Sequence, residues 1–315
     1  MDEDSLYTRA DDLWFSDGTL VIRAETTIFR VTKSILAARS NVFKDMLAFP
    51  QGEGREAETI EGIPTVYLHD SAADVEVFLR AIFDSSYFMP APRPVDIDVV
   101  LGILRLSHKY DVSYLLHRAL EHLDVPFYFS SMETFLDSDS DHFIYRLDTG
   151  CLLRTIEAAK EVGALWLLPI LYVRACQEDP ADLTAAMASD TNGDAQKCVN
   201  GCFIFSREYS ASLQFLANST VVGCETPDSC THARFVALVV YFKAIAQGDG
   251  LDPFKPWNWD YISRRGMCDG CLTFYKESRE ETLQNLWGRL PSIFDLPSWE
   301  ELLALKTAAM SEASS

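Results

Sequence analysis

The chain has 315 residues, 48% hydrophobic and 23% charged, with 27 basic against 47 acidic side chains and a formal net charge of −20. That length gives room for two domains and for a core that needs no disulfide support. The acidity is shared, with 13 basic and 26 acidic residues in 1–150 and 14 and 21 in 151–315, so neither half carries the basic surface that nucleic acid or an anionic membrane requires.

The opening, MDEDSLYTRADD, lacks the positive start and apolar run of a secretory signal. The longest apolar run, FVALVVYF at Phe235–Phe242, is too short to span a membrane and is expected as a buried core element. The expectation is a cytoplasmic or nuclear protein whose cysteines are reduced, metal-bound or part of the core.

Leu20–Arg23 and Thr27–Val31 read as a β-hairpin around a polar turn at Ala24–Glu25. The period then becomes helical, with Ile35, Leu36 and Arg39, followed by Val42, Phe43, Met46 and Leu47. Ser40 or Asn41 is placed to cap the second of these helices, and Pro50 and Gly52 end it. Thr65–Leu68 reads as a strand, and Asp70 or Ser71 as the cap of a helix whose apolar face is Val75, Phe78, Leu79 and Ile82. Pro90, Pro92 and Pro94 form a stiff connector. Two helices follow, near 98–110 with Val100, Leu101, Leu104 and His108 on one side, and near 112–123 with Leu115, Leu116, Ala119 and Leu123 inward. The order gives a small sheet with helices clustered on it, an α+β arrangement.

Three separated segments carry a family resemblance. DLWFSDGTLVIRAETTIFRVTKSILAARSNVFKDML resembles the opening of a BTB/POZ domain, TVYLHDSAADVEVFLRAIF its later strand and helix, and VLGILRLSHKYDVSYLLHRALEHL its closing helix pair. The resemblance covers residues 11–125, and the whole chain resembles fungal BTB proteins with a helical, cysteine-bearing C-terminal half. It implies a protein-interaction module. Many such domains bind a cullin scaffold and present a client to a ubiquitin ligase. The surface used there falls on 43–49, 51–59 and 67–71, with Met46, Phe49, Glu53, Tyr67 and His69 as candidate partner-binding residues. Phe49 to Glu53 is the nearest approach to the adaptors' hydrophobic-x-Glu loop motif, with the wrong spacing. Asp17 and Lys33 match a buried acid and a basic residue of the family. A buried charge needs a partner, so these two are expected to lie close together. Thr32 stands where the family usually has histidine. Only about ten residues precede Leu13, which counts against a strand-exchanged homodimer, although self-association is carried as an alternative.

Residues 126–148, with the acidic run DSDSD, read as an acidic, aromatic linker or insertion. Helical periodicity returns over 149–305, resembling the BACK-like helical extension that often follows a BTB domain. Two close cysteine pairs lie there: Cys224 and Cys230 as C-x5-C, and Cys268 and Cys271 as C-x-x-C in the turn MCDGC. Soft ligands in two such turns are the usual construction of a structural zinc site, and His232 could replace one of them. Buried thiols are the competing reading. Cys151 and Cys176 are expected in the core. Pro256-Trp257-Asn258-Trp259 is either an exposed anchor or a packed clamp, the clamp being preferred.

The sequence contains no G-x-S-x-G, P-loop, H-E-x-x-H or G-x-G-x-x-G. The reading is therefore a non-enzymatic BTB adaptor, with a cullin scaffold and an unknown client as expected partners. A scaffold or regulator that self-associates without a ligase role is the alternative. A zinc or thiol enzyme is a third reading, for which Cys230 beside His232 is the only local pairing.

Overall fold

The computed structural model describes residues 7–48, 58–137, 147–213, 216, 221–246 and 252–312. Strands β1 (Thr8–Trp14), β2 (Leu20–Ala24), β3 (Thr27–Val31), β4 (Thr59–Ile60) and β5 (Ile63–Leu68) form a sheet in the order β1-β3-β2-β5-β4. β2 and β3 are the antiparallel hairpin read from the sequence, with Ala24 opposite Thr27, so the turn falls on Glu25–Thr26, one residue later than expected. Glu25 adopts a left-handed φ of 51° there. Its carboxylate accepts from the Ala72 amide at 3.0 Å, where a helix N-terminus favours negative charge. β5 joins β2 in parallel and returns from β4 through Glu61-Gly62, both at positive φ, the geometry of a two-residue hairpin. β1, unrecognised in the sequence, pairs in parallel with β3 of its own chain.

Helices α1 (Lys33–Arg39), α2 (Asn41–Ala48), α3 (Ala72–Phe83), α4 (Ile97–Lys109) and α5 (Ser113–Phe127) cover this sheet. Ser40 caps α2, accepting from the Phe43 amide at 3.0 Å, and its hydroxyl donates to the Tyr110 carbonyl before α5. Ser71, not Asp70, caps α3. Asp70 instead accepts from Lys109 Nζ at 2.6 Å and from the Tyr110 hydroxyl at 2.5 Å. His108 is exposed, and among the described residues His122 is the buried histidine, 2.8 Å from the Met89 carbonyl.

The stretch expected as a linker contains α6 (Met132–Leu136), opened by a capping box between Ser131 and Thr134. Met132 and Phe135 are buried, and Phe135 meets Phe254 and Trp287 with ring centroids 5.5 Å away in each case. The described part of that stretch thus sends its apolar residues into the core while Glu133 and Thr134 stay exposed; residues 138–146, with most of the acidic run, lie outside the described residues. Helices α7 (Thr149–Glu161), α8 (Leu168–Cys176), α9 (Pro180–Ala186), α10 (Asp194–Ser212), α11 (Pro227–Ala246), α12 (Trp259–Ser263), α13 (Asp269–Ile293) and α14 (Trp299–Glu312) complete a mainly helical C-terminal half.

One buried cluster runs from Leu13, Ile22 and Phe78 through Leu104 and Leu123 to Ile156 in α7, and on to Trp166, Leu286 and Leu302. The two halves therefore share an interior. A second, smaller core joins Tyr209, Cys230, Ala237, Trp257, Ile262, Met267, Cys271 and Tyr275. α13 contributes to both, with Cys271 and Tyr275 in the small core and Leu283 to Leu290 in the large one. Trp257 is packed as a clamp, stacked on Tyr241 at 4.3 Å with the Arg279 guanidinium 4.8 Å from its ring centre. The apolar run of α11 corrects its sequence reading: Phe235 is 64% exposed and Phe242 56%. Seven positions apart, they lie two turns along one helix face, while Ala233 and Ala237 occupy the packed side.

Candidate interaction surface and cysteine cluster

Strand alternation buries Leu68 and turns Tyr67 outward, 45% exposed. Its ring meets the exposed His69 edge-on at 4.6 Å, and the Arg23 guanidinium lies 5.2 Å from its ring centre. Arg23 stands opposite Tyr67 in the β2–β5 register and approaches Glu58 at 3.5 Å. Met46, in α2, is 38% exposed, while Phe43 on the same helix is fully buried. Helical spacing thus anchors α2 by Phe43 and leaves Met46 turned to the surface. Phe49 and Glu53 lie outside the described residues. Burial, followed by the hydrogen bond to Asp70, raises the Tyr110 phenol above its ordinary range and keeps it a donor.

Asp17 and Lys33 do not form the expected buried pair. Both are exposed, and no ion pair joins them among the described residues. Arg30 holds the turn before β2 instead, donating to the Gly18 carbonyl at 3.0 Å and the Ser16 carbonyl at 2.7 Å. The Asp17 carboxylate is in water, where it avoids the cost of burial.

The expected cysteine quartet does come together. The sulfurs of Cys224, Cys230, Cys268 and Cys271 all lie within 4.8 Å of one another, and all four thiols are free. His232, considered as a substitute, is exposed and outside the group. Cys230 sits in the first turns of α11; Cys268 is the N-cap of α13 and Cys271 lies in its first turn. The Ser229 hydroxyl donates to the Gly266 carbonyl at 2.8 Å, fastening one cysteine segment to the other. The Cys268 amide donates to Cys230 Sγ at 3.2 Å. Backbone amides of Cys271 and Glu225 facing its sulfur bring Cys268 down to about 6, while burial, then the neighbouring thiols, push Cys271 up. Four sulfurs, three at two helix N-termini and Cys224 in the loop before one of them, form a donor set for a soft, tetrahedral metal. Cys151 is buried, and Cys176 packs against the large core, as expected for both. Cys176 donates to the Cys198 carbonyl at 3.3 Å, and Cys202 to the Cys176 carbonyl at 3.6 Å.

Among the described residues no helix is long and apolar enough to cross a membrane. Comparison with curated proteins and with solved structures finds no match. A family model described as the BTB/POZ domain matches residues 9–126. That span takes in the sheet and the five helices placed on it, to within one residue at either end, so residues 9–126 are a BTB/POZ domain, a protein-interaction module followed by a mainly helical half.

Proposed function

We propose that the chain is an adaptor whose BTB domain binds a cullin scaffold while the helical half holds a client for ubiquitination. The observation carrying this reading is the outward pair Tyr67 and His69 at β5, with Met46 exposed on α2. Aromatic side chains supply large contact area at low entropic cost, and they are enriched where interfaces concentrate their binding energy. The chain itself makes and breaks no bond in this reading. Binding of a purified cullin N-terminal domain to the full chain tests it. Saturable binding that Tyr67→Ala weakens is expected, and a folded chain that fails to bind removes the ligase role.

A second reading, a scaffold or regulator that self-associates, draws on the exposed Phe235 and Phe242 of α11. Burying each ring in a contact between copies would contribute about 2 kcal/mol. Light scattering across a concentration series separates the readings. A mass that doubles with concentration, and reverts in Phe235→Glu, supports self-association.

A further inference from the structure

We propose that Cys224, Cys230, Cys268 and Cys271 bind one zinc ion as a closed tetrathiolate that holds the smaller core together.

The geometry is close to what such a site needs. Bonds of about 2.3 Å to a tetrahedral zinc place the sulfurs about 3.8 Å apart, and here all four fall within 4.8 Å. A small rotation of each side chain closes the cage. The four sulfurs come from two segments that a hydrogen bond already fastens together, Ser229 to Gly266. Donors are in place for charged sulfur. The Cys268 amide reaches Cys230 Sγ at 3.2 Å, and Thr226 Oγ1 lies 3.3 Å from the same atom. The N-termini of α11 and α13, helices of 20 and 25 residues, converge there and offer positive potential to an anionic cage.

Charge balance is simple. Zinc holds all four cysteines as thiolates, any remaining thiol protons pass to solvent, and the tetrathiolate carries a net charge of −2. Arg234, 5% exposed and one turn beyond Cys230, brings a cation into the same region of α11. Thiolate softness favours zinc over calcium or magnesium. Four sulfur ligands leave no position for water, so the ion is structural and not catalytic. Its role follows from the small core, which is separate from the large one and gathers few buried side chains. An interior of that size is the kind a metal staple supports.

The test uses the full chain, expressed with zinc in the medium and purified without added metal. Metal analysis is expected to give about one zinc per chain. On adding a chelator, four further thiols of the eight cysteines are expected to become reactive toward a thiol reagent. The double variant Cys268→Ser/Cys271→Ser loses the zinc, and Cys151→Ser, far from the small core in sequence, keeps it. Because the double variant could misfold, the unmodified chain is also stripped and refilled with cobalt(II). Tetrahedral cobalt–thiolate absorption is expected, saturating at one equivalent. On stripping, amide exchange should quicken in α11 and the start of α13, while α4 and α5 stay protected. Freely titratable thiols with less than about a fifth of an equivalent of zinc would overturn the proposal. So would an intact mass showing disulfides among the four, or iron in place of zinc. None of these readouts depends on whether the chain binds a cullin.

Discussion

Lys306, in the last helix, places its ammonium 2.8 Å from the Asp124 carboxylate near the end of the helix that closes the BTB domain. The other oxygen of Asp124 accepts from Trp166 Nε1 at 2.8 Å. One carboxylate therefore joins three parts of the chain, and only 15% of it is exposed. The Lys306 ammonium also stands over the Tyr128 ring. With Arg105–Glu161 at 3.1 Å and Arg154–Asp98 at 3.0 Å, it binds the BTB domain to the helical half.

Asp124→Ala leaves a buried indole N–H without its acceptor and a lysine without its counter-ion. Losses of that kind cost about 2–3 kcal/mol. Urea denaturation is expected to show it as a lower midpoint with an unchanged slope. Lys306→Ala should cost less, about 1 kcal/mol, since Asp124 keeps its tryptophan donor.

Gly266 has a φ of +92°, and a Cβ there would clash with Ser229 Oγ, 2.4 Å away. Gly266→Ala should therefore strain the backbone and push Ser229 aside, costing about 1–3 kcal/mol. The shift moves Cys230 relative to Cys268, so the variant is expected to release metal at lower chelator concentration than the unmodified chain. Release curves with a chromophoric chelator read the difference directly.

Asp252 accepts from the Phe254 amide at 2.9 Å and from Gln177 Nε2 at 2.8 Å, tying the loop before α12 to the end of α8. Burial holds its carboxyl above the ordinary 3.8, against the lowering effect of those bonds. A raised carboxyl favours folding when protonated. Its contribution is complete below 3.8 and is lost as pH rises through the raised value. Asp252→Asn keeps an acceptor for Phe254 and removes the titration. Measured from about pH 3 upward, about one unit at a time, the stability of the parent relative to the variant should fall as pH rises through that window.

Much of the BTB domain is legible in the sequence because its helices write their buried faces plainly. Val75, Phe78, Leu79 and Ile82 are all buried as their spacing requires. β1 is hidden because TRADDLW buries only Leu13; an edge strand with one inward residue has no alternation to read. α11 misleads in the opposite direction. Its apolar run says nothing of which side is covered, and Phe235 and Phe242 face outward. The Asp17–Lys33 expectation fails because both side chains are exposed, so neither carries a buried charge that needs a partner. The cysteine cluster is the reverse case. Thirty-seven residues lie between its two pairs, yet Cys224 and Cys230 flank the start of one helix, Cys268 and Cys271 open another, and the two helix starts meet.

The most direct test of the account is a calorimetric titration of the full chain with a cullin N-terminal domain, beside a Met46→Asp/Tyr67→Asp variant whose folding is checked by circular dichroism. The adaptor reading predicts saturable one-to-one binding with a Kd of about 10 μM or tighter, weakened at least about tenfold by the double substitution. A folded parent chain that gives no binding heat at several temperatures and tens of micromolar, confirmed by the absence of a co-eluting complex on gel filtration, would contradict it.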